Sequence, residues 1–211
     1  MKRFAAPFLA AIGLIAASVA CAADAKPAAV PTAAAPAVVD SLGLLERAVA
    51  KDSTKFDNLY KLGVMYMDRE RMAEAGRVFT KANQVKPNNI KVLVNLGIAA
   101  DAMGHADEAQ AWYLQALKSS PDDSIAMCRL ASSKYAQGKF DEAIALLRDL
   151  IAKKPNSHCA YFTLGVSFAD AGLYRDAIRQ WRKVVELAPD SPEAVSAKES
   201  IDVLEKFLQG K

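Results

Sequence analysis

The side chains best suited to nucleophilic, redox or metal chemistry are few: Cys21, Cys128, Cys159, His105 and His158. His158 and Cys159 with Cys128 would give three soft or borderline metal ligands, or a thiol centre, but no carboxylate stands in a pattern that would complete either. There is no Cys-x-x-Cys, no His-Glu-x-x-His and no glycine-rich phosphate loop. A thiol or metal enzyme built on Cys128, Cys159 and His158 is therefore the poorer of two function classes. The expectation is a chain without catalytic residues, metal or cofactor. Nucleic acid is not an expected partner either. Of the 27 basic residues, Lys2 and Arg3 lie in a leader-like start, which leaves 25 against 24 acidic ones, too even a balance to neutralise a phosphate backbone.

What must position these residues is a repeated unit. Pro87, Pro121, Pro155 and Pro189 stand at a constant step of 34 residues. Ala75, Ala109, Ala143 and Ala177 keep the same step, as do the bulky apolar residues Phe79, Tyr113, Leu147 and Trp181. Gly63, Gly97 and Gly165 also keep it, with Ala131 standing in the third unit. A fixed period of this size marks a repeat architecture. Within a unit, Leu93, Leu96, Gly97 and Ala100 share one helical face, and so do Ala109, Tyr113, Ala116 and Leu117. Gly104, Gly138 and Gly172 interrupt the pattern between two short helices. The proline ends the second helix, because the residue before it is pushed out of the helical region. No unit can bury its apolar stripe alone, so neighbours must stack.

Four units result, 56–89, 90–123, 124–157 and 158–191 approximately. They resemble the tetratricopeptide repeat family, whose pattern is W-x2-L-G-x2-Y, then A-x3-F, then P. The first unit supplies Leu59, Leu62-Gly63, Tyr66, Ala75, Phe79 and Pro87; the third departs most, with Ala131 and Lys134 at the glycine and aromatic positions. The resemblance implies an all-α, right-handed superhelical α-solenoid of about four helix-turn-helix units. It also implies that the second, fifth, ninth and twelfth positions of each unit line a concave groove for another protein's peptide or helix. Those positions, with the sixth, include Tyr60, Val64 and Met67; Val94, Asn95 and Ile98; Ile125, Arg129 and Tyr135; and Phe162 and Val166. The strip is more apolar than an exposed face usually is, which favours binding. The family's carboxylate clamp is matched only at Asn95 and Arg129, so a receptor for acidic chaperone tails is not expected.

Cys128 and Cys159 fall on adjacent first helices of this arrangement. Helix axes about 8–10 Å apart sit at the edge of the alpha-carbon separation, at most about 7 Å, that a disulfide allows. Both a Cys128–Cys159 bond and two unpaired, half-buried thiols stay open.

The ends complete the plan. Residues 1–22 carry a basic start, an apolar stretch and a small-x-small site at Ala20-Cys21-Ala22, as a cleaved export signal does. Ser18-Val19-Ala20-Cys21 also resembles a bacterial lipobox, which would lipidate Cys21 and tether the protein to a membrane; an uncleaved anchor is a third possibility. Residues 23–39 are almost wholly Ala, Pro and Val and form an extended linker. Residues 40–55 carry a leading half-repeat helix. Residues 190–211 carry a capping helix with Ser191 as N-cap, Pro192 at its first position and a stripe of Ala197, Ile201, Leu204 and Leu208. Val203 and Phe207 are expected to cover the edge near Trp181. The function expected is a non-catalytic interaction scaffold, periplasmic or secreted, or alternatively a lipid-anchored assembly factor of the type IV pilus or secretin pilotin kind held through Cys21.

Overall fold

The computed structural model describes residues 40–210; the leader, the Ala/Pro-rich linker and Cys21 lie outside the described residues. The described chain is helical throughout. Its elements are α1 (Ser41–Lys51), α2 (Phe56–Met67), α3 (Met72–Val85), α4 (Ile90–Ala102), α5 (Ala106–Ser119), α6 (Ser124–Ala136), α7 (Phe140–Lys153), α8 (His158–Asp170), α9 (Tyr174–Leu187) and α10 (Pro192–Gln209). The first helices of the four units begin at residues 56, 90, 124 and 158, so the 34-residue step of the prolines is also the step of the helices.

Local chemistry places the boundaries. Asn89 accepts from the Val92 amide at 3.2 Å, Asp123 from Ala126 at 2.8 Å and Ser191 from Ala194 at 3.1 Å. Each cap satisfies an amide that has no partner inside its helix. The turn inside each unit needs a left-handed residue. Gly104, Gly138 and Gly172 supply it at φ +81°, +77° and +75°. The first unit places Glu70 there, at φ +58°, accepting a penalty on the order of 1–2 kcal/mol that glycine avoids.

Helices pack in sequence order, α2 on α3, α4 on α5, α6 on α7 and α8 on α9, and each second helix also meets the next unit. The seam is filled by Leu59, Phe79, Leu93, Tyr113, Leu130, Leu147, Leu150 and Val184, all but inaccessible to water. The first helices also touch one another, α4 against α6, α6 against α8 and α8 against α10. This second set of contacts is what builds the site.

Both ends of the stack are closed. α1 lays Leu42, Leu45 and the buried Val49 on the first unit's core. Tyr66 Oη donates to Glu46 Oε1 at 2.7 Å, and Arg71 lies over the Tyr66 ring at 4.5 Å. At the other end α10 buries Ala194 and Ala197, with Ile201 and Leu204 packed beside them, around Trp181. The expectation for Val203 and Phe207 needs correcting. Phe207 meets Tyr174 edge-on at 5.4 Å, and Val203 is 62 % exposed. No second helix folds back on α10 among the described residues. One period on from Leu164, Gly165 and Phe168 stand Lys198, Glu199 and Asp202, so these three positions of α10 are polar where other units are apolar.

Candidate functional site

Along α6, Ile125, Cys128, Arg129, Ser132 and Tyr135 recur at three- and four-residue spacing and share one face; along α8, Cys159, Phe162 and Val166 do the same. Where α6 and α8 lie side by side these faces enclose a groove of about 740 Å³. The loop residues Asn156 and Ser157 and the first turn of α10, through Glu193, complete its rim. Apolar side chains, Ile125, Phe162 and Val166, share the lining with the polar Arg129, Ser132, Thr163 and Ser167. Ile125 is the most open of the large apolar residues there, at 59 % exposed. Arg129 is exposed and makes no ion pair among the described residues. Volume and lining fall within the roughly 300–1,000 Å³ range of pockets that hold ligands.

Cys128 and Cys159 are joined by a disulfide in the wall of this groove, with alpha carbons 6.3 Å apart. The first helices therefore approach closely enough at this step for a bond that spacing alone left open. With both sulfurs bonded, neither is a thiolate nucleophile or a metal ligand. Among the described residues no group of three His, Cys, Asp or Glu side chains is placed to hold a metal ion.

Five of the eleven groove residues expected from the repeat pattern come together here: Ile125, Arg129, Tyr135, Phe162 and Val166. The other six do not join them. Tyr60, Val64 and Met67 pack against the first unit's core around Leu59 and Phe79, and Ile98 packs on the core of the second. Val94 is 6 % exposed and offers a ligand almost no surface. Asn95 donates to Tyr60 Oη at 3.5 Å, a long bond that keeps its amide on α2. Tyr135, Phe162 and Val166 also lean on the cores of their own units, so what sets the third and fourth units apart is the groove between α6 and α8 and the exposed Ile125 in its lining.

Next to the groove lies a polar cluster that repeat spacing does not announce. Asp101 accepts from Tyr113 Oη and from Ser133 Oγ, each at 2.9 Å. Gln110 donates to Ser133 Oγ at 3.3 Å and to Gln137 Oε1 at 3.0 Å, and Gln137 donates to Asp107 at 2.8 Å. This ties α4, α5 and α6 together and satisfies the buried polar groups Gln110 and Ser133. Burial, then the Asp101 charge, push the Tyr113 hydroxyl far above the usual tyrosine range, against a small opposing pull from Arg129. Tyr135 donates to the Ser167 carbonyl at 3.4 Å. Burial, and then the charge of Asp170, push it up to about 12. The lining residues Asn156, Ser157 and Glu193 come from a loop and from the next helix, outside the positions the repeat pattern marks.

Family models described as tetratricopeptide repeat match residues 56–89, 94–158 and 134–201. No curated protein matches the chain in sequence. Many solved structures share the fold. The crystal structure of TTC0263, described as a thermophilic TPR protein in Thermus thermophilus, has 19 % identity over 76 % of this chain and 88 % of its own, with a TM-score of 0.65. MamA has 22 % identity over 69 % and 85 %, with a TM-score of 0.58. YrrB, described as a TPR protein with an unusual peptide-binding site, has 23 % identity over 75 % and 81 %, with a TM-score of 0.54. At such identities the likeness concerns the fold. Family matches and fold agree: residues 56–89 and 94–201 of this chain are tetratricopeptide repeats.

Proposed function

We propose that this protein is a non-catalytic interaction module that holds a short segment of another protein in the groove between α6 and α8. The observation that carries the reading is the groove itself, with the exposed Ile125 in its lining. Ile125 is 59 % exposed although the seam of its own unit is already filled by Leu130, Leu147 and Leu150, so folding gives it no partner. A concave lining of this volume that mixes apolar side chains with a few polar groups is the usual form of a binding site. Arg129 and Glu193 on the rim offer one charge of each sign to the segment's polar groups. The peptide-binding description of YrrB is in keeping with this use of the fold.

The place of action is proposed to be the bacterial cell envelope. Support comes from the export-signal pattern of residues 1–22 and from a disulfide, which persists in oxidising compartments. A lipid anchor at Cys21 is favoured by one observation, the Ser18-Val19-Ala20-Cys21 run. It would make the protein a tethered assembly factor of the pilotin kind with the same groove.

The test is site-specific photocrosslinking from position 125 in the native envelope, followed by mapping of the attached segment. A synthetic copy of that segment should bind the purified protein and lose at least about tenfold in affinity, about 1.4 kcal/mol, in Ile125→Glu, with helical content unchanged. Equal binding by Ile125→Glu would reject the groove.

A further inference from the structure

Links cross the groove from α6 to α8 at both of its ends. One is the Cys128–Cys159 bond in the first halves of the helices. Another is the Tyr135 hydroxyl donating to the Ser167 carbonyl near their far ends, at 3.4 Å, long for an O–H···O bond and correspondingly weak. The step between the third and fourth units is special in this respect. One period earlier the positions of Cys128 and Cys159 are held by Val94 and Ile125, two periods earlier by Tyr60 and Lys91, and one period later by Phe162 and Glu193. None of those pairs can be joined covalently. The crosslink thus sits at the junction of first helices that lines the groove.

Its surroundings suit both redox forms. Cys128 is 6 % exposed and packs in the third unit's core, where a thiol serves as a small apolar side chain. Cys159 is half-buried and faces the groove. Ser157 Oγ lies 3.4 Å and the Ser124 carbonyl 3.5 Å from its sulfur, so a freed Cys159 thiol has acceptors in reach. A small reductant reaches the bond through the groove, and a bound segment would stand in its way.

We propose that the Cys128–Cys159 bond is a redox clamp on the groove: a dithiol reductant that opens it loosens α8 from α6 and weakens capture, while an occupied groove protects the bond. The proposal rests on the groove reading given above. In the reaction, one thiolate of the dithiol attacks a protein sulfur, and the other protein sulfur leaves as a thiolate and takes up a proton. The second thiolate of the reagent then displaces the first cysteine, which is protonated in turn. Two electrons pass to Cys128 and Cys159, and the reagent ends as its own disulfide. Linkage requires that a ligand preferring the bonded form also disfavour its reduction.

The experiment compares amide hydrogen exchange of the full exported chain before and after dithiothreitol, and of Cys128→Ser/Cys159→Ser. Exchange in α6 and α8 should rise about tenfold on reduction, with α2 to α5 unchanged; the double variant should show the raised rates without reductant and no further response. Unchanged rates in α6 and α8, or loss of helical signal from the whole stack, would overturn the clamp. In a second arm the groove is probed with the apolar dye anilinonaphthalene sulfonate. Its fluorescence should fall both on reduction and in the oxidised Ile125→Glu variant, and saturating dye should slow reduction several-fold. Equal dye binding in both redox states would overturn the clamp. A dye signal indifferent to Ile125→Glu, with the exchange shift present, would instead overturn the groove reading and with it the effect on capture, leaving only a redox-sensitive tie between α6 and α8.

Discussion

Gly63 faces the ring of Phe79 so closely that a Cβ on it would lie 2.6 Å from Phe79 Cε1 and 2.7 Å from Cζ. Neither helix can yield without shifting the seam of the unit, since Phe79 is fully buried. Gly97 with Tyr113 and Gly165 with Trp181 repeat the arrangement. The third unit solves the same problem differently, setting Ala131 against Leu147, both fully buried. Small residue and large ring are one fitted pair.

Gly63→Ala should therefore destabilise the protein. Overpacking costs about 1–3 kcal/mol, and the better helix propensity of alanine returns at most about 1 kcal/mol. The net loss should be about 1–2 kcal/mol, read as a lower urea midpoint at unchanged slope. Adding Phe79→Leu reproduces the third unit's pair. The double variant should be more stable than the sum of its single changes by about 1 kcal/mol. Strict additivity would show that the ring does not set the glycine.

The Asp101 cluster predicts a second coupling. Asp101→Ala leaves the buried Tyr113 and Ser133 hydroxyls without their acceptor, at about 1–3 kcal/mol for each group left unsatisfied. Combining it with Tyr113→Phe removes one of the two orphans, so the double variant should cost less than the sum in denaturant unfolding. Retained stability in Asp101→Ala would mean that water replaces the carboxylate freely.

Two shifted groups fix the direction of pH effects. Tyr135 is raised from its ordinary value near 10 to about 12, so the folded state holds this proton more tightly than the unfolded chain. Its contribution is complete below about pH 10 and is lost as pH rises through about 12. Thermal unfolding of Tyr135→Phe should fall less steeply over that window than that of the wild type, and one tyrosinate absorbance step should vanish. Glu142 is lowered, first by its hydrogen bond from Lys134, which closes at 2.6 Å. Its contribution is present above the ordinary carboxylate range and lost as pH falls through and below it. Because Glu142 is exposed, Glu142→Gln should flatten the acid side only slightly. A large effect at acid pH would point to a coupling that the ion pair does not supply.

What this sequence determines by itself is everything that depends on neighbours along the chain. Helix faces follow from three- and four-residue spacing, stops from Pro87 and its successors, turns from Gly104, Gly138 and Gly172, and the stacking unit from the constant step. Even the Gly63–Phe79 pairing is foreshadowed, because small and bulky residues recur at matched positions in successive units. The tertiary structure decides what depends on the distance between first helices of different units. At that level Val94 and Ile125, aliphatic residues on the concave positions of neighbouring units, part company: one is sealed in the seam and the other stands open. Asp101 meets Tyr113 and Ser133 from three separate helices, Glu193 closes a groove from beyond the last unit, and Cys128 comes within bonding range of Cys159. Periodicity specifies which way a side chain points from its own helix axis. How far away the next axis lies is set by the packing of all the side chains between them.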